Sequence, residues 1–507
     1  MDLQGPFFLS NRIMVHLVWV FFILLVSGYV AQPIKDPDLW WHIVVGRWIS
    51  AHGELPTVDH WTMFANGNKW YAYSWLPEIF FSKVDQYFGN TGLVLFQMLA
   101  ILAFTLCVSY FIGKHAKDHF LGACIGAVVV AGCSYHTSLR PQLFSWIFFA
   151  AVIGILFDEE KTFKKKSLLL FLIGVLWGNT HFSSIYGILA IALLSINQKP
   201  SLANPALANH CILWPDRKTL YFIPIFFLGT IFTPYFGQEW LVALETSTHP
   251  FSFTSILEFQ PAHLQQYSSA VALLLLVWSL ALAGSEKLFP VISVGQYLLL
   301  AITGLGGAMV IKFLPYFFIT LGFFTASLWR YSDSTGPISI GIQKLKTLIV
   351  KLPKEGLAFL FFALIFGYVS NLVKHPVDYT DVPKTSLDYI ISKNLPRPLL
   401  NSFGDGGYVM YRFADKNGDP TRLVSLDGRT NLIDSTLQSE FSSALAGDRN
   451  WDALLKRVDA NTVLWNKVYP LTTLLLTTKE WCIAFEDKRG SSAVLVRKIT
   501  GAECSNF

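Results

Sequence analysis

The chain is poor in charged residues. Only 14% of its 507 residues are Asp, Glu, Lys or Arg, whereas about a quarter of a soluble domain is usually charged. Hydrophobic residues make up 53%, and the mean hydropathy is +0.44. The scarcity of charge argues against an ordinary soluble enzyme and predicts a polytopic α-helical membrane protein.

Several functional motifs are also missing from the sequence. Neither a Walker-type loop nor a Gly-x-Gly-x-x-Gly phosphate cradle is present, which argues against an ATP-driven pump. The net charge of +5 is modest, and no basic stretch is interleaved with stacking aromatics, so no nucleic-acid partner is predicted. The six cysteines lack metal-ligand spacing; Cys482 and Cys504 would form a disulfide if the tail lies in an oxidising compartment.

Apolar runs of membrane-spanning length recur through the first three quarters of the chain. A spanning helix needs roughly 20 apolar residues. The first run has no small-residue cleavage site, so we interpret it as a retained helix and not as a signal peptide. The eleven predicted spans are Ile13–Ala31, Gly92–Ile112, Phe120–Tyr135, Leu143–Phe157, Leu168–Gly178, Ser183–Ile196, Leu220–Phe236, Ser269–Ala283, Leu288–Gly304, Ala308–Trp329 and Gly356–Val373.

The run from Leu168 to Ile196 is interrupted at Trp177-Gly178-Asn179-Thr180-His181, and it fits either one long helix or a hairpin of two short helices. The positive-inside rule favours the hairpin, because all the basic loops then fall on one side. Those loops are Lys114–Lys117, Lys161–Lys166, Lys199–Lys218 and Arg330–Lys354. This topology places the N-terminus inside and the C-terminus outside.

The outer face carries a long first loop, residues 32–90, and the C-terminal tail. In the loop, Trp40–Ala51 and Leu76–Phe88 have the spacing of amphipathic helices lying in the membrane interface. Five tryptophans are predicted there as interfacial anchors, of which one or two would stack on a sugar ring: Trp40, Trp41, Trp61, Trp70 and Trp75.

The composition changes near residue 374. Prolines mark a linker there, and the rest alternates strand-like and helix-like runs. We predict a transmembrane domain over 1–373 and a small extracytoplasmic α/β domain over 374–507. The predicted strands are Leu399–Phe403, Tyr408–Phe413, Arg422–Leu426, Thr462–Trp465 and Ala493–Arg497, and the predicted helices are Ser435–Leu445, Trp451–Val458 and Leu471–Thr478.

The acidic pair in Asp36-Pro37-Asp38 is the first candidate for chemistry, because it follows the first predicted span directly. Acidic residues at such a depth are often functional. A carboxylate there can deprotonate an acceptor hydroxyl, although either residue could instead only cap the following helix.

Cations from distant parts of the chain are predicted at the same membrane depth. Arg140 and Lys312 would stabilise a phosphate that develops as a sugar–phosphate bond breaks. The simpler alternatives are that Arg140 anchors a helix end, that Lys312 snorkels to the surface, and that His181 is a hydrogen-bonded turn residue. Glu258 lies beside aromatics in a later outer loop, and Asp427 with Arg429 fits a structural turn or ion pair.

Together these features resemble the GT-C glycosyltransferases, polytopic enzymes that use polyprenyl-phosphate or polyprenyl-diphosphate sugars, and more narrowly a bacterial branch of them. The resemblance covers most of the chain. The stretches that carry it are short: Asp38-Leu39-Trp40-Trp41-His42, Trp177-Gly178-Asn179-Thr180-His181, Thr233-Pro234-Tyr235-Phe236-Gly237 and Leu426-Asp427-Gly428-Arg429.

The resemblance implies roles for single residues. Asp36 or Asp38 would be the catalytic base, and His42, Asn179 and His181 would shape the donor pocket. Arg140 and Lys312 would hold the lipid phosphate, an assignment that comes from topology and charge. No cofactor is predicted, although a divalent metal (Mg or Mn) serves some relatives, and the sequence offers no clear third ligand.

The resulting hypothesis is a glycosyltransferase in a bacterial inner membrane, acting at the periplasmic face. It would transfer a sugar from a polyprenyl-linked donor to a glycan, lipid or protein acceptor. Two alternatives stay open: a transporter or flippase for a lipid-linked glycan, and a non-catalytic assembly protein whose working part is the tail. A transporter would need ionisable residues or helix breaks near the middle of its spans.

Overall fold

The computed structural model describes residues 23–24, 26–196, 216–248, 256–262, 267–285, 288, 292–332, 336–351 and 354–498. Helices dominate it up to residue 392. In chain order they are α1 Asp38–His52, α2 Trp75–Ala116, α3 His119–Gly132, α4 Gln142–Phe157, α5 Phe163–Gly178, α6 Ile185–Leu194, α7 Arg217–Leu220, α8 Phe222–Thr230, α9 Gln238–Thr248, α10 Tyr267–Ser285, α11 Val294–Met309, α12 Leu314–Tyr331, α13 Pro337–Lys351, α14 Lys354–Lys374 and α15 Lys384–Ser392.

Apolar helices lie where ten of the predicted spans were placed. Within the described ranges, α2 and the stretch Ile311–Tyr331 are long and apolar enough to cross a membrane. Six shorter apolar helices accompany them: His119–Gly132, Gln142–Phe157, Phe182–Leu194, Ala270–Gly284, Val294–Met309 and Phe362–Lys374. The predicted first span, Ile13–Ala31, lies largely outside the described residues. The number of crossings and their sidedness stay predictions.

The interrupted run forms two separate helices. Helix α5 ends at Gly178, a 3₁₀ turn covers Phe182–Ser184, and α6 begins at Ile185. The Asn179 side chain ends α5 by donating to the Val175 carbonyl (2.8 Å), a bond that competes with continued helix. The break predicted from the charged loops is therefore confirmed.

Helix α2 is two helices joined at Gly89. This glycine has φ 58° and ψ −156°, a conformation that residues with a Cβ rarely adopt. In the segment before it, Phe80, Tyr87 and Phe88 are exposed on one side, while Glu78 is buried on the other. That pattern fits the amphipathic helix predicted over Leu76–Phe88.

Helix α1 exists as predicted, but its expected place in the membrane interface is wrong, because its residues are buried in protein. On one side α2 lies so close that a Cβ on Gly46 would be 1.9 Å from the Glu78 carbonyl oxygen. On the other side the tail approaches, and a Cβ on Gly407 would be 2.2 Å from the Pro37 carbonyl oxygen.

The interfacial role expected of the tryptophans fails for the same reason. Four of them are buried in the core, and Trp75 is half-buried. An anchor has to reach the membrane–water boundary, whereas these rings are covered by the tail and by one another. The four core residues are Trp40, Trp41, Trp61 and Trp70.

The tail contains a four-stranded sheet in the order β1-β2-β4-β3. Strand β1 runs parallel to β2, with Leu399 opposite Thr462, and the other pairings are antiparallel. The strands are β1 Leu399–Asn401, β2 Thr462–Asn466, β3 Trp481–Glu486 and β4 Ser492–Arg497, and the helices are α16 Gly406–Phe413, α17 Ser435–Ala446, α18 Ala453–Val458 and α19 Pro470–Thr477.

The secondary structure predicted for the tail is partly right. Three strands and three helices are confirmed, but Tyr408–Phe413 is helical and Arg422–Leu426 contributes only a bridge between Val424 and Thr62. Tyr408, Val409 and Met410 are buried in succession, which the alternating faces of a one-sided strand do not allow. Cys482 is disulfide-bonded, and its proposed partner Cys504 lies outside the described residues.

Candidate functional site

A cluster of charged side chains surrounds Arg140. Its guanidinium forms an ion pair with Asp36 and lies 3.4 Å from an oxygen of Asp38 and 2.9 Å from an oxygen of Glu258. Lys312 pairs with the same oxygen of Glu258, with its Nζ 3.4 Å away. The structure thus brings together five charged residues from four separate segments, and we call them the charge cluster.

The start of helix α1 positions the two aspartates differently. Asp36 uses both oxygens, because Oδ1 accepts from the Asp38 backbone N–H (2.9 Å) and Oδ2 pairs with Arg140. Asp36 thus binds the first N–H of α1, but the N-cap position is Pro37 and no side chain caps the helix there. Asp38 accepts a longer hydrogen bond from the Trp41 indole (3.3 Å), and its side chain is 25% exposed against 5% for Asp36. Asp38 is therefore the more accessible of the two carboxylates.

The electrostatic surroundings also give the carboxylates of Asp38 and Glu258 different pKa values. Burial raises the pKa of Asp38 to about 6; Arg140 opposes this shift, and the neighbouring Asp36 reinforces it. Burial acts in the same direction on Glu258, but Arg140 and Lys312 outweigh it and hold the pKa of Glu258 at about 2. Near neutral pH the cluster therefore contains a base of useful strength and a permanently charged acid.

Loop and turn contacts hold the two cations in place. The turn before Arg140 is fixed by Thr137, whose hydroxyl lies 2.9 Å from the Ser134 carbonyl oxygen and 3.3 Å from that of Val30. Lys312 lies in a 3₁₀ turn, Ile311–Phe313, that starts where the Ile311 N–H donates to the Gln260 carbonyl (3.0 Å). That bond ties the Lys312 turn to the loop that carries Glu258.

The C-terminal tail contacts the charge cluster at Asp38. A Cβ added to Gly428 would be 1.9 Å from Asp38 Oδ1 and 3.3 Å from the Trp41 indole nitrogen. Only a hydrogen atom fits there without displacing the carboxylate. Gly428 therefore limits where the Asp38 carboxylate can lie; the sequence marked this glycine only as part of the stretch Leu426-Asp427-Gly428-Arg429.

Arg429 stabilises the contact between Gly428 of the tail and Asp38 of the first loop. It is 1% exposed, its Nη2 lies 2.6 Å from Asp427, and its Nη1 lies 2.8 Å from Asp59 of the first loop. Burial opposes the charge of Arg429, but the two carboxylates overcome it and raise its pKa above the usual range. The predicted ion pair between Asp427 and Arg429 is confirmed, and Asp59 is a partner that the sequence did not indicate.

Three tryptophan rings enclose the Arg429 guanidinium. The central carbon lies 4.7 Å from the Trp70 ring centroid, 5.3 Å from Trp61 and 5.9 Å from Trp41. Guanidinium groups are attracted to aromatic faces at such distances. The tryptophans therefore contribute to joining the first loop to the tail.

A second buried pair, His42 and Glu78, joins helices α1 and α2. His42 Nδ1 is 2.8 Å from Glu78 Oε1, and the His42 ring lies tilted by 32° against Trp41 with a centroid separation of 3.5 Å. Burial lowers the pKa of His42 well below its usual value, and Arg140 and His181 act in the same direction, so the imidazole is neutral. Glu78 escaped the sequence interpretation because a single acid in an amphipathic helix carries no pattern.

The two hairpin residues occupy different surroundings. Asn179 uses its side-chain amide inside the protein, accepting from the Trp75 indole (3.0 Å) and donating to the carbonyls of Val175 and Phe232. His181 accepts from the Ser183 N–H (3.2 Å), as the turn alternative stated. Burial lowers the pKa of His181 to about 3, and the positive charges of Lys312 and Arg140 act in the same direction.

The arrangement of the carboxylates does not fit a divalent metal. No group of three or more His, Cys, Asp or Glu residues within the described part of the chain could hold one. The three carboxylates of the charge cluster, Asp36, Asp38 and Glu258, all pair with Arg140.

Comparisons with proteins of known structure identify the fold. No protein-family model matches the chain, and no curated protein matches it in sequence. The archaeal oligosaccharyltransferase AglB from Archaeoglobus fulgidus, solved with an inhibitory peptide and a dolichol-phosphate, matches with a TM-score of 0.54 and 9% identity over 89% of this chain and 69% of that chain.

A second solved structure matches at nearly full length. ArnT from Cupriavidus metallidurans in the apo state has a TM-score of 0.53 and 11% identity over 96% of this chain and 98% of that chain. Both neighbours have the GT-C fold, so the resemblance predicted from the sequence is confirmed for the fold. Identities this low show the fold alone, and the bacterial branch stays a prediction.

Proposed function

We propose that the protein is a membrane glycosyltransferase that takes a sugar from a polyprenyl-phosphate or polyprenyl-diphosphate donor. The transfer would occur at the outer face of a bacterial inner membrane, onto a glycan, lipid or protein acceptor. The observation that carries the proposal is the reachable, weakly basic Asp38 beside Arg140 and Lys312 in a GT-C fold. The solved complex of AglB with a dolichol-phosphate supports a lipid phosphate as the leaving group.

The proposed step is a single displacement. The acceptor hydroxyl gives its proton to the Asp38 carboxylate as its oxygen attacks the anomeric carbon. The bond between that carbon and the phosphate oxygen breaks, and the electron pair leaves with the lipid phosphate. Arg140 and Lys312 stabilise the charge that develops on the leaving oxygen. Attack from the opposite side inverts the anomeric configuration.

The positions of the charged residues favour a transferase over a transporter. Asp36, Arg140, Glu258 and Lys312 lie in loops or 3₁₀ turns, and Asp38 lies at the start of α1. A transport path would place such residues near the middle of the spans.

Glu258 pairs with both Arg140 and Lys312, so under the proposed mechanism its carboxylate competes with the lipid phosphate for the two cations. We therefore expect Glu258→Gln, which keeps the shape and removes the charge, to lower the KM for the donor by roughly tenfold, or about 1.4 kcal/mol. Initial rates measured against donor concentration give this value. The control is Glu54→Gln on an exposed part of the first loop. A raised KM would mean that Glu258 binds substrate and does not compete with it.

Gly428→Ala tests whether the tail positions Asp38. The added methyl group displaces the carboxylate, so transfer is expected to fall at least about tenfold, because small misplacements of a reacting group are costly. The low-pH limb of the rate profile should shift while the thermal stability changes little. Gly404→Ala is the matched control, because a Cβ there meets nothing within 4 Å. Equal rates and equal pH profiles for the two variants would remove Gly428 from the mechanism.

The function itself is tested by incubating the purified full-length protein in liposomes with three radiolabelled donors. These are a polyprenyl-phosphate sugar, a polyprenyl-diphosphate sugar and a nucleotide sugar, each with an extract of envelope lipids and glycans as acceptor. The proposal expects sugar transfer and release of the lipid phosphate from at least one polyprenyl donor. Transfer from the nucleotide sugar alone would contradict it, as would lipid-donor translocation without any transfer.

A further inference from the structure

The turn Thr233–Gly237 follows helix α8 and takes no part in the charge cluster, yet it is firmly held. The Thr233 hydroxyl donates to Glu239 (2.9 Å) and accepts from the Gly237 N–H (3.3 Å). The Tyr235 hydroxyl donates to the Pro56 carbonyl (2.8 Å) and accepts from the Ala72 N–H (3.2 Å). Side chains on both halves of the turn thus fix its backbone.

This turn presents Phe236 to the outside. The residue has φ 51°, a left-handed conformation that is strained for a bulky side chain, and it is 89% exposed. The hydrogen bonds of the turn hold the Phe236 backbone in this conformation, while the exposed ring gains little contact with the protein. Strained residues of this kind mark functional positions.

Phe236 belongs to a larger apolar surface. Phe232 precedes it, and Leu241 and Leu244 follow on the outward side of helix α9, while Glu239 of the same helix is buried. We call Phe232, Phe236, Leu241 and Leu244 the Phe236 surface.

The Phe236 surface continues the outward side of an apolar helix. Phe227 and Leu228 near the end of α8 are exposed on the way to Phe232. Trp240 joins α9 to that end, because its indole lies 3.2 Å from the Thr230 hydroxyl and its ring 5.5 Å from the Phe227 ring. Helix α9 also contacts the 3₁₀ turns Phe182–Ser184 and Thr430–Leu432, which directly follow His181 and Arg429.

We propose that the Phe236 surface inserts into the outer leaflet at the boundary between headgroups and acyl chains, with α9 lying in the plane of the membrane. Aromatic and leucine side chains on one face of a helix favour that depth. Because the Phe236 surface is continuous with the exposed side of the apolar helix α8, the lipid bilayer is the partner that it fits. The surface then holds the hairpin tip and the tail at headgroup level, where a lipid-linked phosphate lies. The inference rests on the proposed membrane location and not on the transferase activity.

Spin labels on the full-length protein in phosphatidylglycerol–phosphatidylethanolamine liposomes test the proposal. A single cysteine replaces Phe236 after the native unpaired cysteines are changed to alanine, and a nitroxide is attached. Collision rates with oxygen, which concentrates in lipid, and with a water-soluble nickel chelate report the surroundings. Two reference positions are Val468→Cys, exposed on the tail, and Phe362→Cys, exposed on α14.

The expected result is an oxygen-to-nickel collision ratio at position 236 several-fold above that at 468 and closer to that at 362. Leu244→Cys, on the same surface, should give the same result even if the Phe236 variant folds poorly. A ratio at both positions equal to that at 468 would place the surface in water. Low collision rates with both reagents would show that protein covers it, and either outcome overturns the proposal without affecting the assignment of the charge cluster.

Discussion

Asp38→Asn is expected to lower sugar transfer by about 10²- to 10⁴-fold, the usual contribution of a general base. The amide has nearly the same shape, and it still accepts from the Trp41 indole, but it cannot take up the acceptor's proton. The rate of the wild-type protein should fall as the pH drops through about 6, because burial raises the pKa of Asp38 to that value and only the ionised form is a base. This low-pH limb should be absent from the residual activity of the variant.

Two further asparagine variants make the measurement specific. Asp36→Asn weakens the ion pair with Arg140 and should reduce the rate less, since Asp36 is the buried member of the pair. Asp381→Asn changes an exposed aspartate in the segment that precedes α15 and should leave the rate unchanged. If Asp36→Asn and Asp38→Asn both fold normally and keep full activity, the proposed mechanism is wrong.

Arg429→Met should destabilise the protein by about 3–5 kcal/mol, the cost of removing one partner from a buried ion pair. Methionine fills much of the space between the tryptophan rings, but the carboxylates of Asp427 and Asp59 stay buried without their counter-ion. Thermal unfolding in detergent, followed by protease sensitivity of the tail, measures the loss. Activity should fall in parallel, because Gly428 loses its fixed position against Asp38.

Arg457→Met is the matched control for that experiment. Arg457 pairs with Glu440, but its side chain is 32% exposed, and ion pairs at the surface contribute about 1 kcal/mol or less. A similar Tm shift for the two variants would show that the buried arginine does not join the loop to the tail.

The sequence predicts the apolar helices well because long apolar runs are recognisable without knowledge of the rest of the fold. It also predicts the break at Asn179, since the charges of the flanking loops decide between one helix and two. The acidic pair stands out through its position after an apolar run. Each of these signals is local, or needs only the order of apolar and basic segments.

The sequence predictions that were wrong have a common physical cause, which is contact between segments that are far apart in the sequence. Trp41 and Trp61 look like interfacial anchors because nothing near them in the sequence shows that residues after 400 cover them. Strand β3 was missed because it is an edge strand whose Ile483 and Glu486 face outward, which breaks the alternation. Residues 408–413 look like a strand because aromatic residues favour strands, whereas packing against α1 makes them helical.

The contacts of Gly407 with Pro37, Gly418 with Trp48 and Gly428 with Asp38 join the start of the chain to its last quarter. Residue 428 is synthesised after all the segments that carry the charge cluster. Until then the acidic pair lacks the tail surface that packs against it. If the proposed function is correct, a chain acquires its working centre only when the tail lies on the same side of the membrane as the first loop, and activity then reports correct insertion.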